Sequence, residues 1–211
     1  MPPATSTRRL LLLAFAAFAI TGYSAPERPL FAHDLVNADY QPDHWTMADG
    51  VLSTKGKAGI IWTRESYGDF HLSLEFRCDK STDSGVFFRC SDVRDYVQSS
   101  LEIQITNQLN RPDRARTGAL FDCAAPAAKP AIKAGVWYRL EIAAKGETVK
   151  VLLDGKPMVE ANLDDWATPR KNPDGSANKF KKALKDCARS GRIGLQGTYP
   201  VAFRNLEITR L

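Results

Sequence analysis

The chain has 211 residues, which is enough for one domain to bury a hydrophobic core without cross-links. Its 29 lysines and arginines exceed its 24 acidic residues, and the resulting net charge of +5 is spread along the chain. The one basic cluster, Lys179–Lys182 with Lys185, has the spacing of the solvated face of a short helix. We therefore do not expect a nucleic-acid-binding protein.

Residues 1–24 predict a signal peptide. Arg8 and Arg9 precede the apolar run Leu10–Ile20, and small residues suited to cleavage follow. The run is too short to cross a bilayer, which needs about 20 residues. An amphipathic or buried N-terminal helix is the alternative. We expect an exported protein, periplasmic or secreted, without a membrane span, in which residues 25–211 form a single domain.

Alternating apolar and polar residues then predict strands. Phe70–Arg77 places its aromatic and leucine side chains on one face, and Val86–Arg89 resumes the pattern after a turn. Leu101–Ile105 alternates again, with Glu102 and Gln104 on the outward face. Many short strands with turn signals between them favour one all-β sandwich or barrel.

The C-terminal half continues the same pattern. Asp154-Gly155 separates two apolar segments, Thr148–Leu153 and Pro157–Val159, and predicts a hairpin, since Asp-Gly tolerates the positive φ of tight turns. The polar segment Trp166–Arg189 is predicted to be a surface insertion with one short helix around Asn178–Asp186.

The four cysteines are Cys78, Cys90, Cys123 and Cys187. Export permits disulfides, but four cysteines allow three pairings, which the sequence does not distinguish. No Cys-x-x-Cys pair or interleaved histidine is present. We expect structural cysteines, free or disulfide-bonded, rather than a metal site.

The outward polar side chains of the strands indicate a carbohydrate ligand. Carboxylates and amides such as Glu102 and Gln104 bind hydroxyl groups well, because they donate or accept hydrogen bonds in a fixed plane. Ordinary two-carboxylate glycoside hydrolysis is disfavoured. In laminarinase-type glucanases an inner strand carries Glu-x-Asp-x-x-Glu, whereas Gln104 and then Thr106 or Asn107 occupy the later acid positions here. Glu75, from another strand, is a more distant second acid.

Ten short motifs follow one another along the chain. They are Trp45–Leu52, Tyr67–Phe70, Leu74–Arg77, Asp83–Arg89, Leu101–Ile105, Thr117–Leu120, Trp137-Tyr138, Leu153–Lys156, Ile193–Gln196 and Phe203–Ile208. In this order they resemble the 3-keto-disaccharide hydrolase family, also described as a 3-keto-glucoside 1,2-lyase and 3-keto-2-hydroxy-glucal hydratase domain, over roughly Phe31–Leu211.

The resemblance implies a concanavalin A-like jelly roll of two antiparallel sheets and cleavage of 3-keto-glycosides. A ketone at C3 acidifies the proton on C2, a base removes that proton, and the enolate expels the C1 substituent before water adds. Such a reaction needs one base and a group that stabilises an oxyanion.

Carried onto this chain, the resemblance implies that Glu102 is the base and that Arg89 holds the enolate oxygen. The substrate would be bound by Glu75, Gln104, Asn107, Thr117, Phe121, Trp137, Gln196 and Tyr199. Cross-strand ion pairs and amide ladders are the alternative roles for these polar residues. We expect no cofactor, although the oxygens of Glu102, Gln104 and Asn107 would allow a divalent cation.

The sequence departs from the family in the loop Gly197–Pro200. Many relatives carry a histidine there, whereas this loop contains none, and Phe121 keeps a ring but no hydroxyl. The alternative function is therefore a non-catalytic, lectin-like carbohydrate-binding module, since a fold does not fix a function.

Overall fold

A computed structural model describes residues 27–211, and the predicted signal peptide lies outside this range. The described chain is almost entirely β. Its strands are β1 Arg28–Pro29, β2 Ala38–Asp39, β3 Thr46–Ala48, β4 Val51–Thr54, β5 Ile60–Tyr67, β6 Phe70–Cys78, β7 Asp83–Cys90, β8 Leu101–Thr106, β9 Trp137–Lys145, β10 Thr148–Leu153, β11 Lys156–Asn162, β12 Gly191–Gln196 and β13 Val201–Arg210.

Two antiparallel sheets pack face to face. The eight-stranded sheet has the order β11-β10-β9-β6-β13-β4-β3, with β1 also paired to β13. The five-stranded sheet has the order β2-β5-β12-β7-β8. Some strands that pair in a sheet are distant in sequence, as β6 and β13 are. The two antiparallel sheets confirm the predicted sandwich.

The period-two pattern accounts for the core between the sheets. Phe76 of β6 and Phe88 of β7 are fully buried on the inner faces, and so are Ile103 and Ile105 of β8. Because successive side chains of a strand point to opposite faces, Glu102 and Gln104 lie on the face of β8 that points away from this core. The predicted hairpin is also confirmed: β10 pairs with β11, and Asp154 and Gly155 have φ values of 48° and 73°.

The short helix lies elsewhere than predicted. The segment Asn178–Asp186 contains only a 3-10 turn, Leu184–Asp186, while the α-helix of the described chain, α1, spans Tyr96–Ser99 between β7 and β8. Phe180 and Leu184 are buried, so the insertion packs against the sandwich instead of presenting a solvated helical face. No helix within residues 27–211 has the length and apolar character needed to cross a membrane.

Candidate functional site

A cavity of about 210 Å³ opens on the outward face of the five-stranded sheet. At roughly 30 Å³ per water of the liquid, its volume equals that of about seven waters, which is room for one sugar ring. It is lined by Asp83, Phe87, Tyr96, Val97, Glu102, Gln104, Arg111, Phe121, Lys179 and Gln196.

The pairing of β7 with β8 sets the order of side chains across the cavity floor. Phe87 lies opposite Glu102, and Gly85 lies opposite Gln104. Gly85 leaves the space that the Glu102 carboxylate occupies, since a Cβ atom built on Gly85 would stand 2.5 Å from Glu102 Oε1. Glu102 therefore has Phe87 opposite it on β7, and its carboxylate lies over Gly85.

Glu102 is an unusual carboxylic acid. Only 7% of its surface is exposed, and burial raises its pKa to about 7, because the charged form loses its solvation. The Lys179 ammonium opposes this rise, and the charge of Asp83 adds to it. A carboxyl group that titrates near neutrality in a cavity is suited to accepting and returning a proton.

Lys179 brings a positive charge to the base from the insertion. Its Nζ lies 3.6 Å from Glu102 Oε2 and 4.7 Å from the centre of the Phe121 ring. The loop backbone is held on two sides: the Lys179 amide donates to Asp122 Oδ2 at 2.6 Å, and its carbonyl accepts from Gln98 Nε2 at 3.0 Å. These two bonds fix the backbone of Lys179 in the position from which its side chain reaches Glu102.

The other end of the cavity is polar. Asp83 Oδ1 accepts hydrogen bonds from Gln104 Nε2 at 2.7 Å and from Arg111 Nη2 at 3.0 Å. Arg111 Nε is buried and has no hydrogen-bond partner among the residues that the structure describes. A buried donor without an acceptor is costly, and an oxygen of a bound ligand would satisfy it.

Aromatic rings form the wall at the opposite end. Phe87 and Tyr96 meet edge to face with ring centres 5.2 Å apart, and Trp62 packs 5.9 Å from Phe87 and 6.1 Å from Tyr96. Val97, on the same helix as Tyr96, lines the cavity with 41% of its surface exposed.

Four of the ten predicted site residues meet in this cavity: Glu102, Gln104, Phe121 and Gln196. Glu75 and Trp137 instead lie on the outer face of the eight-stranded sheet. There Glu75 accepts a hydrogen bond from Arg204 Nε at 2.7 Å, and the guanidinium group of Arg204 lies 4.3 Å from the centre of the Trp137 ring. The structure does not bring Glu75 and Trp137 together with Glu102, because β6 and β9 belong to the other sheet.

Arg89 also lies away from the cavity. The pairing of β7 with β12 is irregular here, and Arg89 has a φ of 54°, which turns its side chain between the sheets. Its guanidinium group is 1% exposed and donates to the Gly146 carbonyl at 2.7 Å and to Asp69 at 3.3 Å. The role predicted for Arg89, holding a substrate oxygen beside Glu102, does not fit this position.

The remaining three predicted residues belong to loops and turns. Asn107 accepts from the Thr82 amide at 2.8 Å, and Thr117 exchanges hydrogen bonds with the backbone of Thr106. Tyr199, 40% exposed, does not line the cavity.

Sequence reasoning missed the roles of Asp83, Tyr96, Arg111 and Lys179 in the cavity. Lys179 stood out in the sequence as part of a basic cluster, and the buried Phe180 next to it was the signal that this segment packs inward. For Arg111, in a turn-rich segment after β8, no period or motif indicated its direction.

Two further features bear on a ligand. Within residues 27–211, no group of three or more His, Cys, Asp or Glu side chains is arranged to hold a metal ion, and Asn107 is committed to Thr82 and Asp79. A second cavity, of about 330 Å³, lies on the eight-stranded sheet beside Arg77 and Asp79. The carboxylate that lines it, Asp79, is exposed, whereas Glu102 is buried, and this difference distinguishes the smaller cavity as the candidate active site.

Comparison with known proteins agrees with this fold. Residues 31–209 match the family model of the 3-keto-alpha-glucoside-1,2-lyase-like domain, which confirms the family predicted from the ten motifs. A proposed glycosyl hydrolase from Parabacteroides distasonis ATCC 8503 is 34% identical with a TM-score of 0.85, over 89% of this chain and 100% of the other. No curated protein matches the sequence.

More distant structures share the fold alone. The β-glucanase of Bacillus licheniformis is 11% identical with a TM-score of 0.51, covering 90% of this chain and 99% of its own. The carbohydrate-binding module CBM66 of Bacillus subtilis is 15% identical with a TM-score of 0.53, covering 83% of this chain and 97% of its own.

Proposed function

Because the chain belongs to the family of 3-keto-α-glucoside-1,2-lyase-like domains, we propose that it cleaves 3-keto-glucosides by β-elimination in the cavity around Glu102. The observation that carries the proposal is a buried carboxyl group with a pKa of about 7 that faces a cavity with room for one sugar ring. We propose that the protein acts outside the cytoplasm, as the predicted signal peptide implies.

Glu102 acts as the base. Its carboxylate takes the proton from C2, which the neighbouring C3 ketone has acidified, and the electron pair of the C2–H bond moves into an enolate. The enolate re-forms the ketone and expels the C1 oxygen with its substituent, which leaves a C1–C2 double bond. The departing oxygen takes a proton from water and leaves as an alcohol. The hydroxide that remains adds at C1 and Glu102 returns its proton to C2, which completes a net hydrolysis.

Arg111 takes the role that the sequence had suggested for Arg89. Its buried Nε has no hydrogen-bond partner within residues 27–211, and its guanidinium group is already oriented by Asp83, so it offers a fixed donor to the oxygen at C3, where negative charge develops. Lys179 keeps part of the Glu102 population ionised at neutral pH, which a base requires.

The test is ultraviolet detection of the conjugated glucal when the mature protein is mixed with a 3-keto-glucoside. Glu102→Gln should lower the rate by at least about 100-fold, the usual loss on removing a general base, and still bind the sugar. Lys182→Met, a change of an exposed cation in the same insertion, is the control. Repeating the assay with a chelator tests whether a divalent cation takes part.

Two results would contradict the proposal. Cleavage of the unoxidised glucoside at an equal rate would indicate hydrolysis by two carboxylates, with Asp83 as the partner of Glu102. Binding of the 3-keto-glucoside without turnover would indicate a lectin-like module.

A further inference from the structure

The cavity is chemically asymmetric along strand β7. Asp83 and Phe87 line its two ends, and both point away from the core because they are four residues apart. At about 3.3 Å per residue the two positions are separated by about 13 Å. One end thus holds Asp83 and Arg111, and the other holds Phe87, Tyr96 and Val97.

Glu102 stands between these ends. Its strand partner is Phe87, while its carboxylate lies over Gly85, the next outward position toward Asp83. In the proposed reaction the base must face C2, and C2 is flanked by C1 on one side and C3 on the other. The part of the substrate beyond C3 therefore extends toward one end of the cavity and the C1 substituent toward the other.

The polarity of the two ends of the cavity indicates which way the substrate is oriented. The C3 oxygen and the C4 hydroxyl need donors and acceptors, which Arg111, Asp83 and Gln104 supply. The aromatic end offers fewer such groups. Phe87 and Val97 carry no polar side-chain atom, and the polar groups near them are the Tyr96 hydroxyl and the Lys179 ammonium, which is paired with Glu102.

We infer that the wall formed by Tyr96 and Val97, with the buried Phe87 packed against Tyr96, binds the C1 substituent and selects an apolar, aromatic aglycone over a second sugar. This inference rests on the proposed function and names its substrate class. Val97 supports it, since an exposed valine at the mouth of a polar cavity is better covered by an apolar group than by water.

The test uses phenyl and methyl glucosides without the 3-keto group, so that binding is measured without elimination. Isothermal titration should show that the phenyl glucoside binds about tenfold more tightly to the unmodified protein, as expected for one aromatic contact with apolar burial. Val97→Ser should reduce this ratio about threefold, and Tyr96→Ala should reduce it further. Val36→Ser changes a valine that is 63% exposed outside the cavity and should leave the ratio unchanged.

Equal affinity for the two glucosides, or no binding of either, would overturn the inference. So would an equal loss of affinity for both in Tyr96→Ala, which would place the sugar ring itself on the wall. The failure of the proposed function is a separate result: no turnover of 3-keto-glucosides, with the phenyl preference intact, would leave the aglycone assignment standing and remove the elimination chemistry.

Discussion

At the scale of single residues, the burial of Glu102 ties the chemistry of the cavity to the stability of the fold. The folded protein holds this proton up to a pH of about 7, whereas the unfolded chain releases it at the usual pKa of 4.5. Between these two values the folded state binds more protons, so this group's contribution to stability falls as pH rises. The base is therefore least favourable for folding at the pH where it is ready to act.

Compared with the parent, the Glu102→Gln variant should therefore be more stable against unfolding at pH 8 than it is at pH 4. The difference in unfolding free energy between variant and parent should grow by about 3 kcal/mol across this range, the free energy that corresponds to the pKa shift. Urea unfolding at the two pH values measures it. A difference independent of pH would mean that Glu102 titrates normally.

The positive charge of Lys179 also affects the pKa of Glu102. Since its ammonium group lowers the pKa of Glu102, Lys179→Met should raise that pKa and move the rising limb of the profile of kcat/KM against pH to higher pH. Lys182→Met should leave the profile in place. A uniform loss of rate with an unmoved profile would instead assign Lys179 a contact with the substrate.

Gly85→Ala tests the space reserved for the carboxylate. The added methyl group would meet the Glu102 side chain, whose flexible end can turn away, so the fold should survive with a similar melting temperature while turnover falls at least about tenfold. Gly68→Ala is the matched control, because the nearest atoms to its added Cβ are 4.0 Å away. Normal turnover in Gly85→Ala would show that the orientation of Glu102 is not critical.

At the scale of elements, the insertion Trp166–Arg189 is built around one buried amide. Asn172 Oδ1 accepts from Trp166 Nε1 at 2.8 Å and from Asn178 Nδ2 at 3.1 Å, and Asn172 Nδ2 donates to the Asp122 carbonyl at 3.1 Å. These bonds fold the insertion onto the segment that carries Phe121, and so they place Lys179 beside Glu102.

Asn172→Ala should destabilise the protein by about 3 kcal/mol, since each buried group left without a partner costs about 1–3 kcal/mol. It should also move the pH profile in the same direction as Lys179→Met, a change that a purely structural role would not produce. The exposed Asn110→Ala is the control. The unfolding midpoints and the pH profiles of the two variants test this role of Asn172. A loss of stability with an unmoved pH profile would mean that Asn172 does not position Lys179.

The strands were predictable and the inward packing of the insertion was not, for a physical reason. β6 and β8 follow from local alternation, because a half-buried strand repeats every two residues whatever its partners are. Glu102 and Gln104 were found in this way. Lys179 depends on bonds to Gln98 and Asp122, far away in sequence, which no local pattern reports.

Arg89 shows where local alternation within a strand gives the wrong prediction. Strict alternation from Phe87 would place it on the outward face with Glu102. The irregular pairing at this end of β7 reverses its direction, and such a bulge leaves no clear mark in a single sequence.

At the scale of the whole molecule, the core between the sheets holds the fold without cross-links. The described structure contains four free cysteines, of which Cys78, Cys90 and Cys123 are buried. Burial raises the pKa of Cys78 and Cys123 to about 12, which suppresses the reactive thiolate.

A thiol reagent should therefore modify only Cys187 in the native protein and all four cysteines after unfolding in denaturant. A reducing agent should leave the melting temperature unchanged. Fewer than four reactive thiols after unfolding without reductant would reveal a disulfide.

The separation of base and cation between two parts of the chain has an evolutionary consequence. Glu102 belongs to a paired strand, whose replacement would disturb the sheet, whereas Lys179 belongs to a surface insertion, and loops tolerate substitution far better than core strands. Natural variation in the insertion can thus retune the working pH of the base while the strand that bears it stays the same. Descendants of one scaffold could adapt to acidic or alkaline surroundings by exchanging this single loop.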